Sequence, residues 1–383
     1  MPSAPAAPAA MPLIPFFAAA NEHTEVIDDR TITTSAANPV QVGPIDIPAY
    51  GFLRHVWLRV DISGGTIGAG VLGYLYPFNW LDQVTLMDVN GAPIVGPLSG
   101  EQLFLANLVG GYAYRQDPRD DPNYVGTING TFYVRVPVEI SHHNALGSLA
   151  NQNAASTYKL RYAIKVNAGA SSPFSTNPTT SPTTIRVRAV LEAWTQPAPS
   201  DPMGRPQATV PPRHGTTQFW TAQTRTISSG QNTINVQRVG NLIRNLVIIC
   251  RNSSGVPVAS QVPDPIRISL DARDLFSEPG GYRTTKQYEL IESQQGGTNF
   301  PAGVIVYNFD NSVLGKAGDG SPAAYLPTVQ STRLDIIGNF AAAGSVDILV
   351  NDVAPVETDP ATRYADTATG FRPGSLTEPI ADQ

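Results

Sequence analysis

The residues best equipped for chemistry in this chain fall in a few separate places. Gly68-Ala69-Gly70-Val71-Leu72-Gly73 spells G-x-G-x-x-G after an expected strand. A dinucleotide site needs a helix to open there, so that its first amides face a pyrophosphate. The chain instead runs into Tyr74-Leu75-Tyr76-Pro77-Phe78, aromatic and broken by proline, so the motif reads as a loop in a β domain. His142-His143 could begin a metal site, but His23, His55, His142, His143 and His214 never take the i, i+4 spacing that sets two imidazoles on one helix face. Asp117, Asp120 and Asp121, in RQDPRDDPNY, offer oxygen ligands for a structural Ca²⁺ at a subunit contact. Two prolines break the ligand spacing of a calcium loop there, and a surface turn is the plainer reading. Glu139, Glu192, Asp271 and Asp274 are carboxylates that a glycosidase could pair across distant strands, or simply edge-strand and turn charges.

No G-x-S-x-G elbow, P-loop or HExxH is present, so neither catalytic residues nor a cofactor are expected. Cys250 is the single cysteine and lies in an apolar run, which excludes an intrachain disulfide and reads as a small buried side chain. Asn129-Gly130-Thr131 and Asn252-Ser253-Ser254 match the glycosylation pattern, which matters only on a secretory route.

The elements that would position these residues are strands. Gly (33) and Pro (34) make up more than a sixth of the 383 residues, and Lys is scarce beside Arg. Dispersed Gly and Pro between short Val/Ile/Thr runs favour an all-β sandwich or barrel. The net charge of -6 comes with no cluster of Lys and Arg, so the basic stripe a direct nucleic-acid binder uses to displace counterions is missing. No apolar run reaches the length of a membrane span.

Residues 1–20 carry no charged side chain, and five prolines interrupt them. Without a basic start they read as an extended arm rather than a signal peptide, with Leu13, Ile14, Phe16 and Phe17 available to a neighbouring subunit or a lipid surface. Strands are expected near 30–34, 40–47, 52–63, 83–89, 131–139, 157–166 and 184–194. The best of them, Gly51–Ser63, alternates from Val56 onward, as a half-buried strand does. A helix is expected after the fourth strand: Ser99 and Gln102 form an S-x-x-Q capping box, and Gly110-Gly111 closes it. Six prolines in 195–216 exclude a core strand and mark a linker.

Beyond the linker the pattern returns. Arg225–Ser229 answers Arg30–Thr34, Ile243-Arg244 answers Leu53-Arg54, and Ile266–Ile268 answers Val84–Leu86. A second capped helix candidate opens at Thr284 with Gln287, in the place of Ser99 with Gln102, and closes at Gly296-Gly297. Thr332–Asp335 then answers Tyr158–Arg161, and Val187 pairs with Val346 or Ile348. The separation between matched strands shrinks along this series, which means that the first copy carries longer loops. The expected fold is therefore all-β: two tandem jelly-roll β-sandwiches, each with one short helix. The expected division is an arm (1–27), a first jelly roll (28–195), a Pro-rich linker (196–216), a second jelly roll (217–355) and a C-terminal tail (356–383).

Through RTITTS…GFLRHVWLRVDIS and RTISSG…NLIRNLVIICRN, this layout resembles the double-jelly-roll major capsid proteins of tectivirus-like bacteriophages, double-stranded DNA viruses with an internal membrane. The resemblance implies a homotrimer whose six jelly rolls make a pseudo-hexagonal tile of an icosahedral shell, with the termini toward the membrane. It implies as partners further copies of the chain, penton or minor capsid proteins and membrane lipid, with no direct nucleic acid. The location it implies is the virion, after synthesis in the host cytoplasm. A carbohydrate-binding or glycan-processing double β-sandwich is the alternative; Trp57, Trp80, Trp194 and Trp220 are the only tryptophans from which it could build a sugar platform.

Overall fold

Among the described residues, two sets of eight main strands repeat one order. A computed structural model of the chain describes residues 12–33, 39–73, 76–112, 128–141, 144–166, 173–212, 215–279, 282, 302–309 and 325–354. The first unit runs β1 (Glu22–Thr33), β2 (Val40–Asp46), β3 (Phe52–Ser63), β4 (Val71–Leu72), β5 (Leu81–Met87), β6 (Pro93–Leu98), β7 (Gly130–Pro137), β8 (Leu149–Ala150), β9 (Lys159–Ile164), β10 (Phe174–Thr176) and β11 (Thr184–Trp194). The second runs β12 (Thr217–Ile227), β13 (Gly230–Val236), β14 (Leu242–Asn252), β15 (Ile266–Leu270), β16 (Arg273–Glu278), β17 (Val304–Asn308), β18 (Leu326–Pro327), β19 (Leu334–Phe340) and β20 (Gly344–Ala354). Among the described residues, two α-helices are bounded, the one-turn α1 (Phe16–Ala19) and α2 (Gly100–Val109).

Setting aside the short strands β4, β8, β10 and β18, the first unit pairs β1-β11-β3-β7 in one sheet and β2-β9-β5-β6 in the other. The second pairs β12-β20-β14-β17 and β13-β19-β15-β16. In both units the order is first-eighth-third-sixth and second-seventh-fourth-fifth, the jelly-roll topology. The two units join in one nine-stranded sheet, where Trp220 of β12 bridges Val95 of β6 in parallel. The matches expected from sequence fall on equivalent strands. Arg30 and Arg225 lie on first strands, Arg54 and Arg244 on third, Val84 and Ile266 on fourth, and Leu160 and Leu334 on seventh.

β3 buries Val56, Leu58, Val60 and Ile62 and leaves Trp57, Arg59 and Asp61 half-buried, which is the alternation expected of it. β14, its counterpart, buries every residue from Leu242 to Cys250. A strand covered on both faces reads as a continuous apolar run, and Leu246–Cys250, LVIIC, is one. Leu246, Ile248 and Cys250 face the second unit's own core, while Val247 and Ile249 join the first unit's core. The cover is α2, whose Leu103, Leu105, Ala106, Leu108 and Val109 are all buried in that same cluster. Eight of its ten residues are buried, so the helix is enclosed on most of its circumference, and its polar Gln102 and Asn107 are hydrogen-bonded.

The structure corrects three expectations. β1 opens at Glu22, inside the stretch assigned to the arm, because EHTEVIDD lies at a sheet edge where acidic residues can face water. Pro93 and Pro97 argue against a strand, yet β6 forms around them; both prolines are exposed and only a single bridge leaves its outer edge. The helix accordingly follows the β5–β6 hairpin rather than the fourth strand. Its capping box is as expected: Ser99 Oγ accepts from the Gln102 amide at 3.2 Å, and Gln102 Oε1 accepts from the Ser99 amide at 3.0 Å. The second capped segment, from Thr284 to Gly297, lies outside the described residues.

Candidate functional site

Among the described residues singled out for chemistry, only the side chains of Glu139 and His55 come together. Asp117, Asp120, Asp121, His142, His143 and His214 lie outside the described residues. The G-x-G-x-x-G loop packs against the strand-like segment 173–183, with Thr66 bridging Thr180 and β4 pairing β10. Its glycines permit that approach: a Cβ on Gly70 would meet Pro178 Cα at 2.6 Å. Asn129 hydrogen-bonds both Gly65 backbone groups at 2.9 Å, and the Asn252 carboxamide oxygen accepts from the Ser254 and Val256 amides at 3.0 Å. Both glycosylation-pattern asparagines thus organise turns. Burial pushes the Cys250 thiol up to about 12, as its place in the second core requires.

The four carboxylates divide between the units. Asp271 caps a turn, accepting from the Thr332 and Arg333 amides at 3.0 Å, and Asp274 lies 3.6 Å from Arg267. Glu192 is half-buried on β11, opposite His55 in register. Glu139 is fully enclosed. Its Oε2 accepts from Arg54 Nε at 2.9 Å and stands 3.5 Å from His55 Nε2, and its Oε1 accepts from Trp194 Nε1 at 3.1 Å. Arg54 also reaches Glu22 on the edge strand at 2.6 Å and lies 4.0 Å from the centre of the Trp194 ring. Burial works against the Arg54 charge, but Glu139 and Glu22 hold its pKa above the ordinary value. A carboxylate so enclosed pins β1, β3 and β11 together and presents no lone pair to a substrate.

The densest buried polar set is one that residue spacing does not reveal. It lies between the units, around the C-terminal end of α2. Arg244 of β14 donates to Gly110 O at 3.2 Å and to the Tyr112 hydroxyl at 3.5 Å, and Asn308 of β17 donates to Val109 O at 3.3 Å. Those carbonyls are the ones a helix end leaves without internal partners, and a cation there also meets the negative end of the dipole. Tyr112 donates to Glu139 O at 2.8 Å, and burial raises its pKa. Gln218 of β12 donates to the Tyr112 hydroxyl and to Val138 O and Glu139 O, while Asn351 of β20 donates to Gln218 Oε1 at 3.0 Å. At the other end of α2, Arg251 of β14 donates to Glu101 at 2.8 Å and to Asp347 at 2.7 Å. The second unit therefore supplies donors to the C-terminal carbonyls of the first unit's helix and an arginine to the acidic residue of its first turn, while the N-cap is the first unit's own Ser99. The one sequence trace of this seam is that Arg54 and Arg244 hold equivalent places on matching strands.

The arm residues separate. Ile14 donates to Pro206 O and accepts from the Ala208 amide, both at 2.9 Å, so the arm pairs with the linker. Phe16, expected at a neighbour, is buried in its own chain, edge-on to Phe52 at 5.2 Å and clustered with Trp194. Leu13 (61 % exposed) and Phe17 (45 %) remain open to solvent.

No protein-family model and no curated protein matches the chain. Solved structures do match. A chain of the Sulfolobus turreted icosahedral virus aligns at TM-score 0.62 and 12 % identity, over 91 % of this chain and 96 % of that one. The major capsid protein of bacteriophage PM2 aligns at 0.50 and 11 %, over 88 % and 99 %. A chain of the PBCV-1 virus capsid aligns at 0.53 and 13 %, over 87 % and 94 %. Together with the strand order, these likenesses establish a double jelly roll along almost the whole described chain.

Proposed function

We propose that this chain is a major capsid protein: three copies form a pseudo-hexagonal capsomer, and capsomers tile an icosahedral virion shell laid over an internal membrane. The observation that carries the reading is one chain holding two units of identical strand order, fused through a common core. Three such chains supply six similar wedges, and a shell tile needs rigid wedges that bind copies of themselves. The likeness to chains described as capsid proteins supports the same reading. Leu13 and Phe17, exposed beside the anchored Phe16, are the part of the arm left to meet a neighbour or lipid. Penton and minor capsid proteins are further partners, and the copies are made in the host cytoplasm before assembly.

The four tryptophans weigh against the carbohydrate reading. Trp80 and Trp220 are fully buried, Trp194 stacks under Arg54, and Trp57 lies under Arg135 with the guanidinium 4.2 Å from its ring centre. A sugar platform needs an open aromatic face. The test is the mass and outline of the purified protein. Three copies of the 40.8-kDa chain with hexagonal outlines by electron microscopy are expected. A stable monomer that binds an oligosaccharide would overturn the reading.

A further inference from the structure

The two units meet through strand edges, and the same two kinds of edge stand open elsewhere in the chain. β6, the fifth main strand of the first unit, meets β12, the first of the second unit, in parallel at the Trp220–Val95 bridge. The counterparts of these strands are β16, the fifth of the second unit, and β1, the first of the first unit. Among the described residues β16 pairs only with β15 and β1 only with β11, so each keeps one side without a strand. A head-to-tail contact leaves one giving and one receiving edge on every chain, and a second copy can join them.

Strand pairing fixes which residues correspond. Val187 faces Arg30 as Val346 faces Arg225. Counted along β11 and β20 from those valines, Glu192 corresponds to Asn351, so their partners Thr24 and Trp220 correspond as well, and Val26 corresponds to Ala222. Leu86 pairs with Val95 and Ile268 with Phe276, which puts Phe276 in the place of Val95. The bridge within the chain thus maps onto Thr24 of one copy and Phe276 of another, with Glu25 beside Ser277 and Val26 beside Glu278. The side chains fit this use. Ala222 packs against the first unit's core, whereas Val26 is 56 % exposed. Ile94 and Val95 are buried on β6, whereas Leu275 and Phe276 of β16 are half-buried. An edge that keeps apolar side chains is a template for a further strand, and the charges of Glu22, Glu25 and Asp29 guard β1 against indiscriminate pairing.

We infer that β16 of one copy docks in parallel on the open edge of β1 of the next, with Phe276 against Thr24, joining two chains as β6 and β12 join the two units. The inference rests on the capsomer reading and names the residues of its contact between chains. β6 carries Pro93 and Pro97, whereas β16, RDLFSE, has no proline, so its amides can bond a neighbouring strand along its length. Glu22 and Asp274, which this register brings together, each hold an arginine already, Arg54 at 2.6 Å and Arg267 at 3.6 Å.

Cysteine pairing tests it. Glu25 and Ser277 are exposed, and the native Cys250 is buried. With Glu25→Cys and Ser277→Cys in one chain, oxidation by diamide is expected to give covalent dimers and trimers on a non-reducing gel, because paired strands bring Cα atoms within disulfide reach. Each single variant is expected to run as a monomer on that gel. Val26→Glu, set beside Glu278, is expected to raise the concentration at which trimers dissociate by about tenfold or more, read by analytical ultracentrifugation, while Val26→Lys does not raise it. Circular dichroism separates a folded monomer from an unfolded chain, and should the cysteine pair not fold, the two Val26 variants decide. A wild-type chain that is monomeric throughout defeats the capsomer reading itself. A trimeric wild type leaves that reading standing, and this contact is overturned if the cysteine pair links no chains, if a single cysteine already links them, or if Val26→Glu holds the trimer as tightly as Val26→Lys.

Discussion

β3 and β14 hold the same place in two sheets of the same order, yet they are built for different surroundings. β3 sets Trp57, Arg59 and Asp61 on a face where Arg59 reaches Asp61 at 2.9 Å and Arg188 joins them. β14 sets Val247, Ile249 and Arg251 on the corresponding face, the first two fully buried beneath α2. The strand order is common to both units, so topology does not decide the composition of these faces. What decides it is whether a neighbour belonging to the same chain is always present. A face covered permanently by its own chain can be apolar; one without such a cover has to remain wettable.

The largest break in that comparison comes from one charge placed at equivalent positions. Ile249→Asp should leave the second unit unfolded, since a carboxylate enclosed without a partner costs several kcal/mol, about 4 or more. Arg59→Asp, at the matching position of β3, should cost about 1 kcal/mol or less by thermal or denaturant unfolding. Equal losses at the two sites would show that the covered face is not what separates them.

A smaller contrast concerns the two buried arginines. Arg54→Ala strands the enclosed Glu139 charge and should cost about 3–5 kcal/mol. Arg244→Ala removes donors from Gly110 O and Tyr112, neutral groups, and should cost about 1–3 kcal/mol. Urea unfolding of the two variants decides the ranking.

The smallest effect is one of sign. Partial burial opposes the Asp61 charge, but the Thr131 hydroxyl, Arg188 and Arg59 outweigh it and hold its pKa below the ordinary 3.8. Its contribution is therefore present above pH 3.8 and lost as pH falls through the lowered value. At the seam, burial of Glu101 outweighs Arg251 and raises its pKa above 4.5, so its contribution is present below pH 4.5 and lost as pH rises through the raised value. Asp61→Asn should flatten the acid limb of the stability profile, and Glu101→Gln should flatten a limb above pH 4.5 with the opposite slope. Matching slopes would refute the assignment.

The parts of this fold written in local pattern were legible. The alternation from Val56 to Ile62, the capping box at Ser99 and Gln102, and the paired runs around Arg54 and Arg244 each follow from short-range chemistry. β6 was hidden because Pro93 and Pro97 are tolerated where a strand meets its neighbour through one bridge. The seam was hidden for another reason. Gln218, Arg244, Asn308 and Asn351 lie on four strands, and nothing in their spacing marks them until the sheets bring their side chains to the end of α2. Glu139 was noticed for its acidity, but the Arg54 and Trp194 groups that enclose it come from 85 and 55 residues away.

The helix α2 also sets an order of events during synthesis. It is encoded ahead of the linker, while the sheet it covers is encoded after it. When Val247 and Ile249 leave the ribosome, the surface they require is already made, so the stickiest face of the chain emerges beside its cover. Exchanging the order of the two halves, with every strand intact, would deliver that face to the cell before its cover existed.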